Sequence, residues 1–449
     1  MARRSSRLPD GTRVLDAISV GVLTRTYPPA KIRAVLEATK RGSIRNRAMP
    51  AHVTVYYVLA MALCMEMGSR EVLRWLLEGI HWLRQSRDYA TTVKSGITQA
   101  RQRLGWEPLK QLHDEVVSPI AQEKTRGAWY RGWRLVSLDG STLSVADTAA
   151  NEQVWGRARC GRGEAGYPCL RFVSLVENGT HVLFATQLGS YREGEVTLAQ
   201  EVVKALGSGM LCLADREFLG WKLWNSAGRQ GADLLWRAKK APRLDCARRL
   251  EDGSYWSYLY SSQNDRRKRT NGLLVRVIEY RLEGVAGSEP CYRLVTTILE
   301  PQQAPARELA ALYHERWEIE TTLDEFKTHL RGPRLVLRSK TPDLVRQEFY
   351  GLLLTHFAVR GLMHEAALLA DEDPDRLSFL HAVRVIRRQV VPFVISPQGR
   401  TCRVAPSGAS RNLGATGGEQ PWPTHSPRGQ AYENQVLPSS TRAVPRGQN

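Results

Sequence analysis

The sequence predicts an α/β protein, and three observations predict it. Apolar residues recur every three or four positions through residues 10–125, so that stretch reads as helical. From about residue 130, short apolar β-rich runs alternate with amphipathic helices, the pattern of a layered sheet with some parallel pairing. Residues 239–302 hold strand-like runs, before helices return at 305–330 and 342–370, with a shorter one near 375–389. The expected organisation is a helical N-terminal domain (1–125), a first core segment (126–238), a β-rich insertion (239–302), a second core segment (303–395) and a tail (396–449).

Each element follows from its residues. "VLDAISVGVLTRTY", "PAKIRAVLEAT", "VTVYYVLAMALCMEM", "SREVLRWLLEGIHWL" and "PLKQLHDEVVSPI" carry the helical spacing. The most apolar of them, at 53–67, is too short to span a bilayer and reads as a buried helix. Between the helices, "KRGSIRNRAMPAH" carries Lys40, Arg41, Arg45 and Arg47, either a DNA-facing loop or a solvated linker. "WRLVSLDGSTLSV" is a strand interrupted by Asp139. "LRFVSLVENGTHVLFATQL" is two strands around Asn178-Gly179, a strong hairpin signal. "EGEVTLAQEVVKAL" is an amphipathic helix, and "MLCLADREF" a buried strand ending at Asp215. "FLGWKLWNSAGRQG" is a helix with a glycine stop, and "ADLLWRAK" a further strand. In the insertion, "GSYWSYLYS", "LLVRVIEYRLEG" and "CYRLVTTILEP" are strands and "QNDRRKRTNG" a basic loop. In the tail, 20 of 54 residues are Pro, Gly or Ser and no apolar period survives, so disorder is expected there.

Composition narrows the partners. The 64 basic residues exceed the 45 acidic ones by 19, with a pI near 9.9. Arginine dominates the surplus, and its planar fork suits phosphate. A polyanion is expected, nucleic acid before a membrane surface; the bland alternative is arginine enrichment from a GC-rich genome. The seven cysteines (Cys64, Cys160, Cys169, Cys212, Cys246, Cys291, Cys402) are scattered and never in CxxC spacing. That argues against a disulfide framework or a zinc site and fits a reducing cytoplasm. "MARRSSRLPDGTR" has no apolar stretch behind its charges, unlike a signal peptide.

The chemistry gathers at "ALYHERWEIETTLDEFKTHL", residues 311–330. On a regular helix with Tyr313 at zero, Arg316 falls at about 300°, Glu320 at about 340° and Lys327 at about 320°, all within roughly 60°. Leu312, Ile319, Leu323, Phe326 and Leu330 occupy about 220–280°, beside them. An apolar seam therefore anchors the helix and presents one carboxylate, flanked by cations, along its rim. Arg316 and Glu320, four apart, are also an ordinary surface ion pair. Asp139 and Asp215 change that balance. A carboxylate breaking an apolar strand is costly unless paired or metal-bound, although each could instead be a turn or cap residue. Two such acids at strand ends with a third on a helix suit two divalent metals. Mg2+ wants hard oxygen ligands and keeps positions open for water and phosphate. Two such ions can activate an attacking oxygen and stabilise a leaving one in phosphodiester cleavage. Tyr313, Arg316 and Lys327 then read as phosphate contacts.

At these residues the chain resembles a known family. The Y-x2-R-x3-E-x6-K pattern of Tyr313, Arg316, Glu320 and Lys327 is similar to the signature of the IS4-type DDE transposases. "SLDGSTL" around Asp139 and "LADREF" around Asp215 resemble the family's two aspartate motifs. "RNRAMPAHVTVYYVLAMAL" and "VLRSKTPDLVRQEFYGLLLTHFAVR" resemble its N-terminal domain and the segment after the glutamate; the likeness covers roughly residues 10–390. It implies an RNase H-like core interrupted by a β-rich insertion, with Asp139, Asp215 and Glu320 as catalytic metal ligands. It implies two Mg2+ ions, with Mn2+ as substitute, and cut-and-paste transposition through nicking, a hairpin intermediate and strand transfer. The partners implied are double-stranded DNA, as terminal inverted repeats and target, and a second copy of the chain in the DNA complex. A cytoplasmic, nucleoid-associated enzyme is expected.

Further residues take lesser roles. Tyr292 matches the place of a base-stacking aromatic in the insertion, where a relative has tryptophan; stacking needs only a π face, and a packed strand tyrosine is the alternative. Trp256 is a second candidate. Arg216 and Glu217 orient Asp215, contact DNA or form a surface pair. Arg266, Arg267, Lys268 and Arg269 form a DNA-contacting or merely solvated loop. Trp317 reads as packing, and Asp324 borders the active face without fitting the signature. His314, His329 and His356 have no metal spacing and read as helix surface or packing. Past "VIRRQ" the family implies ordered basic helix, whereas "SPQGRTCRVAPSGASRNLGATGG" is lysine-free and aperiodic, as a frameshift or truncation would leave it. Two other functions therefore stay open: a nuclease of the same core without joining activity, and a DNA-binding remnant without catalysis.

Overall fold

A helix apolar on every side must be central. Ala51–Leu63 is such a helix, with twelve of its thirteen residues buried. The computed structural model describes residues 18–45, 48–84, 92–160, 163–239, 243–282, 289–332, 336–388 and 436–438. The helices are α1 (Ile18–Thr26), α2 (Pro29–Ala38), α3 (Ala51–Leu63), α4 (Ser69–Arg84), α5 (Lys94–Leu104), α6 (Glu107–Val116), α7 (Ala149–Trp155), α8 (Glu195–Val202), α9 (Trp221–Gly228), α10 (Gln263–Lys268), α11 (Ala306–Leu312), α12 (Trp317–Asp324), α13 (Pro342–Ala370) and α14 (Phe379–Arg388). The strands are β1 (Trp129–Tyr130), β2 (Trp133–Ser144), β3 (Arg157–Cys160), β4 (Gly163–Glu177), β5 (Val182–Ser190), β6 (Met210–Ala214), β7 (Asp233–Arg237), β8 (Arg248–Arg249), β9 (Tyr255–Leu259), β10 (Leu273–Leu282), β11 (Tyr292–Thr296) and β12 (Val436–Pro438).

The N-terminal helices pack onto α13. Gly351 of α13 lies against Val58 of α3, where an added Cβ would sit 2.7 Å from Val58 Cγ1. Tyr27 donates to the Leu354 carbonyl at 2.6 Å and Thr355 to that of Leu59 at 3.1 Å. The Arg101 guanidinium, buried, donates to Gln347 Oε1 at 2.8 Å and Ser339 Oγ at 2.9 Å. α13 is long and apolar enough to cross a membrane, but two thirds of its most apolar window is buried inside this fold. It is the core helix joining the N-terminal helices to the sheet.

One sheet runs β3-β4-β2-β6-β7-β11-β10-β9-β8, with β5 on β4, β1 on β2 and β12 on β10. β2 pairs antiparallel with β4, and β4 with β5; β2 and β6, and β6 and β7, are parallel. Side chains alternate between its two faces. Leu211 and Leu213 of β6 join Leu235 and Leu294 beneath α11, whereas Cys212 and Ala214 face the larger core with Trp236 and Phe326.

The strands of the β-rich stretch 239–302 join the same sheet: β11 pairs antiparallel with β7, and β10, β9 and β8 extend the layer. Two local expectations change. The expected basic loop contains helix α10, because Ser262 Oγ caps the Asp265 amide at 3.1 Å; Arg269 ends it in the left-handed region. Residues 311–330 are not one regular helix. Tyr313–Arg316 winds as 3-10 and Glu325–Leu330 as a π-helix, with α12 between. The disorder expected for 396–449 lies outside the described residues, except that Val436–Pro438 pairs with β10. Arg47 is also outside them.

Candidate active site

β2 and β6 run parallel only as far as Leu138 opposite Ala214. Beyond that pair β2 continues along β4 to Ser144, while the β6 chain turns away. Asp139 and Asp215 each follow that pair directly, at the carboxyl ends of adjacent parallel strands, where open α/β sheets bind ligands. Asp139 thus lies within a continuing strand rather than in a turn. Its Oδ1 accepts the Gly140 amide at 2.7 Å, and Asp215 Oδ1 accepts the Glu217 amide at 2.5 Å.

The 313–330 segment packs against both strand ends. Arg316 bridges Asp139 and Glu320, with Nη2 2.9 Å from Glu320 Oε1 and Nη1 3.7 Å from Asp139 Oδ2. The Arg316–Glu320 pair is therefore no isolated surface pair. Lys327 donates to Ser141 Oγ on β2 at 2.9 Å, and burial lowers its pKa. The Tyr313 ring is 7 % exposed and its hydroxyl donates to the Ala214 carbonyl at 3.1 Å. That hydroxyl is bonded to the backbone next to Asp215, which favours a supporting role for Tyr313 over the expected phosphate contact. The Tyr313 ring packs in the apolar cluster with Leu309 and Ala310 of α11, a contact the wheel cannot register.

Burial pushes the Asp139 carboxyl up to about 6; the Gly140 amide and Arg316 pull it down, and the Asp215 and Glu195 charges push it further up. Glu195, at the start of α8, was not singled out in the sequence. Its carboxyl carbon is 2.9 Å from where a Gly140 Cβ would be, so Glu195 lies directly against Gly140. All the acids offer hard oxygen donors, and Arg316 is the cation that partly offsets them. That donor set fits divalent cations of the Mg2+ type.

The remaining candidates separate. Arg216 pairs with Glu289 at 3.1 Å, and Glu217 with Lys239 at 2.6 Å. Tyr292 stacks on Tyr280 (5.3 Å between centroids, 22° between planes) and lies 4.7 Å from the Arg237 guanidinium. These ring contacts are the packed-tyrosine arrangement that stood as the alternative to base stacking. Trp256 donates to the Leu299 carbonyl at 3.2 Å. Arg266 pairs with Asp245, whereas Arg267, Lys268 and Arg269 are exposed. Trp317, expected in packing, is 54 % exposed beside Arg316. Asp324 is exposed, 3.7 Å from His329. His356 is fully buried, 3.5 Å from Glu325.

A second cluster lies behind α12. Glu318 accepts the Gly179 amide at 2.5 Å. Glu325 takes two hydrogen bonds from Arg360, at 2.9 and 2.6 Å, and His181 stands among Glu318, Glu325 and Asp375. Burial pushes Glu325 up to about 7 and lowers Arg360 to about 9. No sequence spacing marks this cluster, whose members come from three distant segments.

Residues 17–114 match the family described as "Insertion element 4 transposase N-terminal", and residues 131–358, just over half the chain, match "Transposase DDE domain". The chain is 27 % identical over 376 residues to the transposase InsG for insertion sequence element IS4 of Escherichia coli (strain K12), covering 83 % of each. It is 23 % identical over 220 residues to the putative transposase InsZ of the same strain, covering 49 % of this chain and 71 % of that one. Among solved structures, the piggyBac transposase synaptic complex with hairpin DNA aligns with a TM-score of 0.43 and 11 % identity, over 86 % of this chain and 84 % of that one.

Proposed function

The chain belongs to the DDE transposases, with an insertion element 4 type of N-terminal region, and from that premise we propose that Asp139, Asp215 and Glu320 are its catalytic acids. The protein is a DNA transposase, a metal-dependent enzyme of DNA cleavage and strand transfer. In our reading the three acids hold two Mg2+ ions, with Mn2+ as substitute. When bound, such ions activate the attacking oxygen and stabilise the leaving one. The core is RNase H-like. The strand order β5-β4-β2-β6-β7, antiparallel on one side of β2 and parallel on the other, supports that assignment.

The observation that carries the reading is Arg316 standing between Asp139 and Glu320 at 3.7 and 2.9 Å. Two carboxylates far apart in sequence share one cation in the crevice that Asp215 completes. Arg316 and Lys327 contact the phosphate of the strand being cut, and Tyr313 positions the end of β6 from below. The exposed Arg267, Lys268 and Arg269 contact DNA away from the chemistry. The N-terminal helices bind the element's terminal repeats, two copies act together on paired ends, and cleavage proceeds through a hairpin. The enzyme works in the cytoplasm on chromosomal DNA.

The test is cleavage of duplex DNA carrying the element's own terminal repeats, with Mg2+ or Mn2+. Loss of nicking by at least about 100-fold in Glu320→Gln, with nicking kept in Asp324→Asn, is the expected result. Cleavage that survives Glu320→Gln removes that residue from the catalytic set. Nicking without joined products would indicate a nuclease.

A further inference from the structure

We propose that His181, Glu318 and Asp375 form a structural binding site for a divalent transition-metal ion, zinc first, separate from the catalytic acids. Among the described residues, this is the one group of three or more His, Cys, Asp or Glu whose ligand atoms all lie within 4.8 Å of one another. His181 is 3 % exposed, and its Nε2 has no hydrogen-bond partner. That nitrogen is aimed between Asp375 Oδ1 at 3.0 Å and Glu318 Oε2 at 3.7 Å. A buried imidazole nitrogen with no hydrogen bond, facing two carboxylates, is costly as it stands, and a cation bound to all three removes the cost.

Charge points the same way. Glu315 and Glu325 add their carboxylates to this pocket, and Arg360 is the guanidinium that faces them. One imidazole and two carboxylates match a three-ligand zinc site with a fourth position for water. The nitrogen donor favours zinc over Mg2+. Binding at Nε2 puts the imidazole proton on Nδ1, and Glu325 Oε1, 3.4 Å away, accepts it, as carboxylates behind metal-bound histidines do. The Arg360 contact to Nδ1 then opens, and Arg360 keeps its two bonds to Glu325.

The ion would act as a staple. It joins the turn between β4 and β5, helix α12 and the Pro374–Arg376 turn. Glu318 and Glu320 share α12 but diverge: Glu318 turns inward to the Gly179 amide, and Glu320 is exposed beside Arg316. The staple therefore fixes the segment that presents Arg316 and Glu320 without entering their crevice.

The experiment uses the full chain carrying Asp139→Asn, Asp215→Asn and Glu320→Gln, so that zinc at the catalytic acids is not counted. The protein is stripped with a chelator, given ZnCl2 or MgCl2, dialysed and analysed by plasma mass spectrometry. One retained zinc per chain, no retained magnesium and a raised thermal midpoint are expected. Adding His181→Gln or Asp375→Asn removes the zinc and the midpoint shift. The Asp375 side chain is 38 % exposed, so Asp375→Asn keeps the test valid should His181→Gln fail to fold. X-ray absorption at the zinc edge is expected to show a mixed nitrogen and oxygen shell. No zinc on the folded triple variant overturns the proposal, as does zinc retained equally after Asp375→Asn. Neither outcome bears on the catalytic assignment, which the cleavage assay tests alone.

Discussion

Tyr313 shows how a single hydroxyl changes meaning once its partner is known. Its bond to the Ala214 carbonyl makes it a support for the strand end that carries Asp215. Tyr313→Phe is therefore expected to lower stability by about 1 kcal/mol, the worth of one hydrogen bond. Affinity for end DNA should stay unchanged, as read by denaturant titration and by binding isotherms. A fall in affinity with unchanged stability would return Tyr313 to the rim as a phosphate contact. The cysteines separate on the same grounds. Burial pushes Cys64 up to about 11 and Cys212 up to about 12, while Cys246 is exposed. Raising a thiol's pKa removes thiolate, the reactive form. Iodoacetamide at pH 8 is expected to label Cys246 in the native protein, and Cys64 and Cys212 only after unfolding, as peptide mapping would show.

At the level of elements, the α3–α13 contact and the uneven helix over 306–330 matter most. Gly351 lets α13 approach α3 closely, and the atoms that an added methyl would meet include the Val58 carbonyl oxygen at 3.2 Å as well as Val58 Cγ1. Backbone cannot swing aside, so Gly351→Ala is expected to destabilise by roughly 1–3 kcal/mol, the usual range for overpacking. An unchanged urea midpoint would show that the two helices slide apart at no cost. A 3-10 turn and a π-helix flank α12, yet Arg316, Glu320 and Lys327 stay together as on a regular wheel, while Tyr313 packs with Leu309 and Ala310. The three that stay grouped are held by partners on β2 and on each other. The β4–β5 turn was legible as a hairpin from Asn178-Gly179. Its burial was not, because Asn178 is held by Ser137 at 2.8 Å and by the Glu315 carbonyl at 2.9 Å, one 41 and the other 137 residues away.

For the whole molecule, a net charge of +19 makes DNA affinity strongly salt-dependent. Log affinity is expected to fall linearly with log salt. Replacing Arg267, Lys268 and Arg269 with alanine should shallow the slope by up to about 3, near one unit per lost phosphate contact. An unchanged slope would mean that this exposed run is merely solvated.

The sequence by itself determined the helical start, the alternating core and most of the main helices and strands, the basic character, and the spacing of Asp139, Asp215, Glu320 and their flanking cations. Apolar period and residue type are local quantities, and one chain carries them in full. Only the tertiary structure decided that β11 and β10 extend the core sheet, that Tyr313 is buried, that Glu195 lies against Gly140 beside Asp139, and that His181, Glu318 and Asp375 meet. Those facts depend on which distant segments touch and on what burial does to a polar group once they do. The apolar period marks which face of a stretch is buried, but not which distant segment covers it.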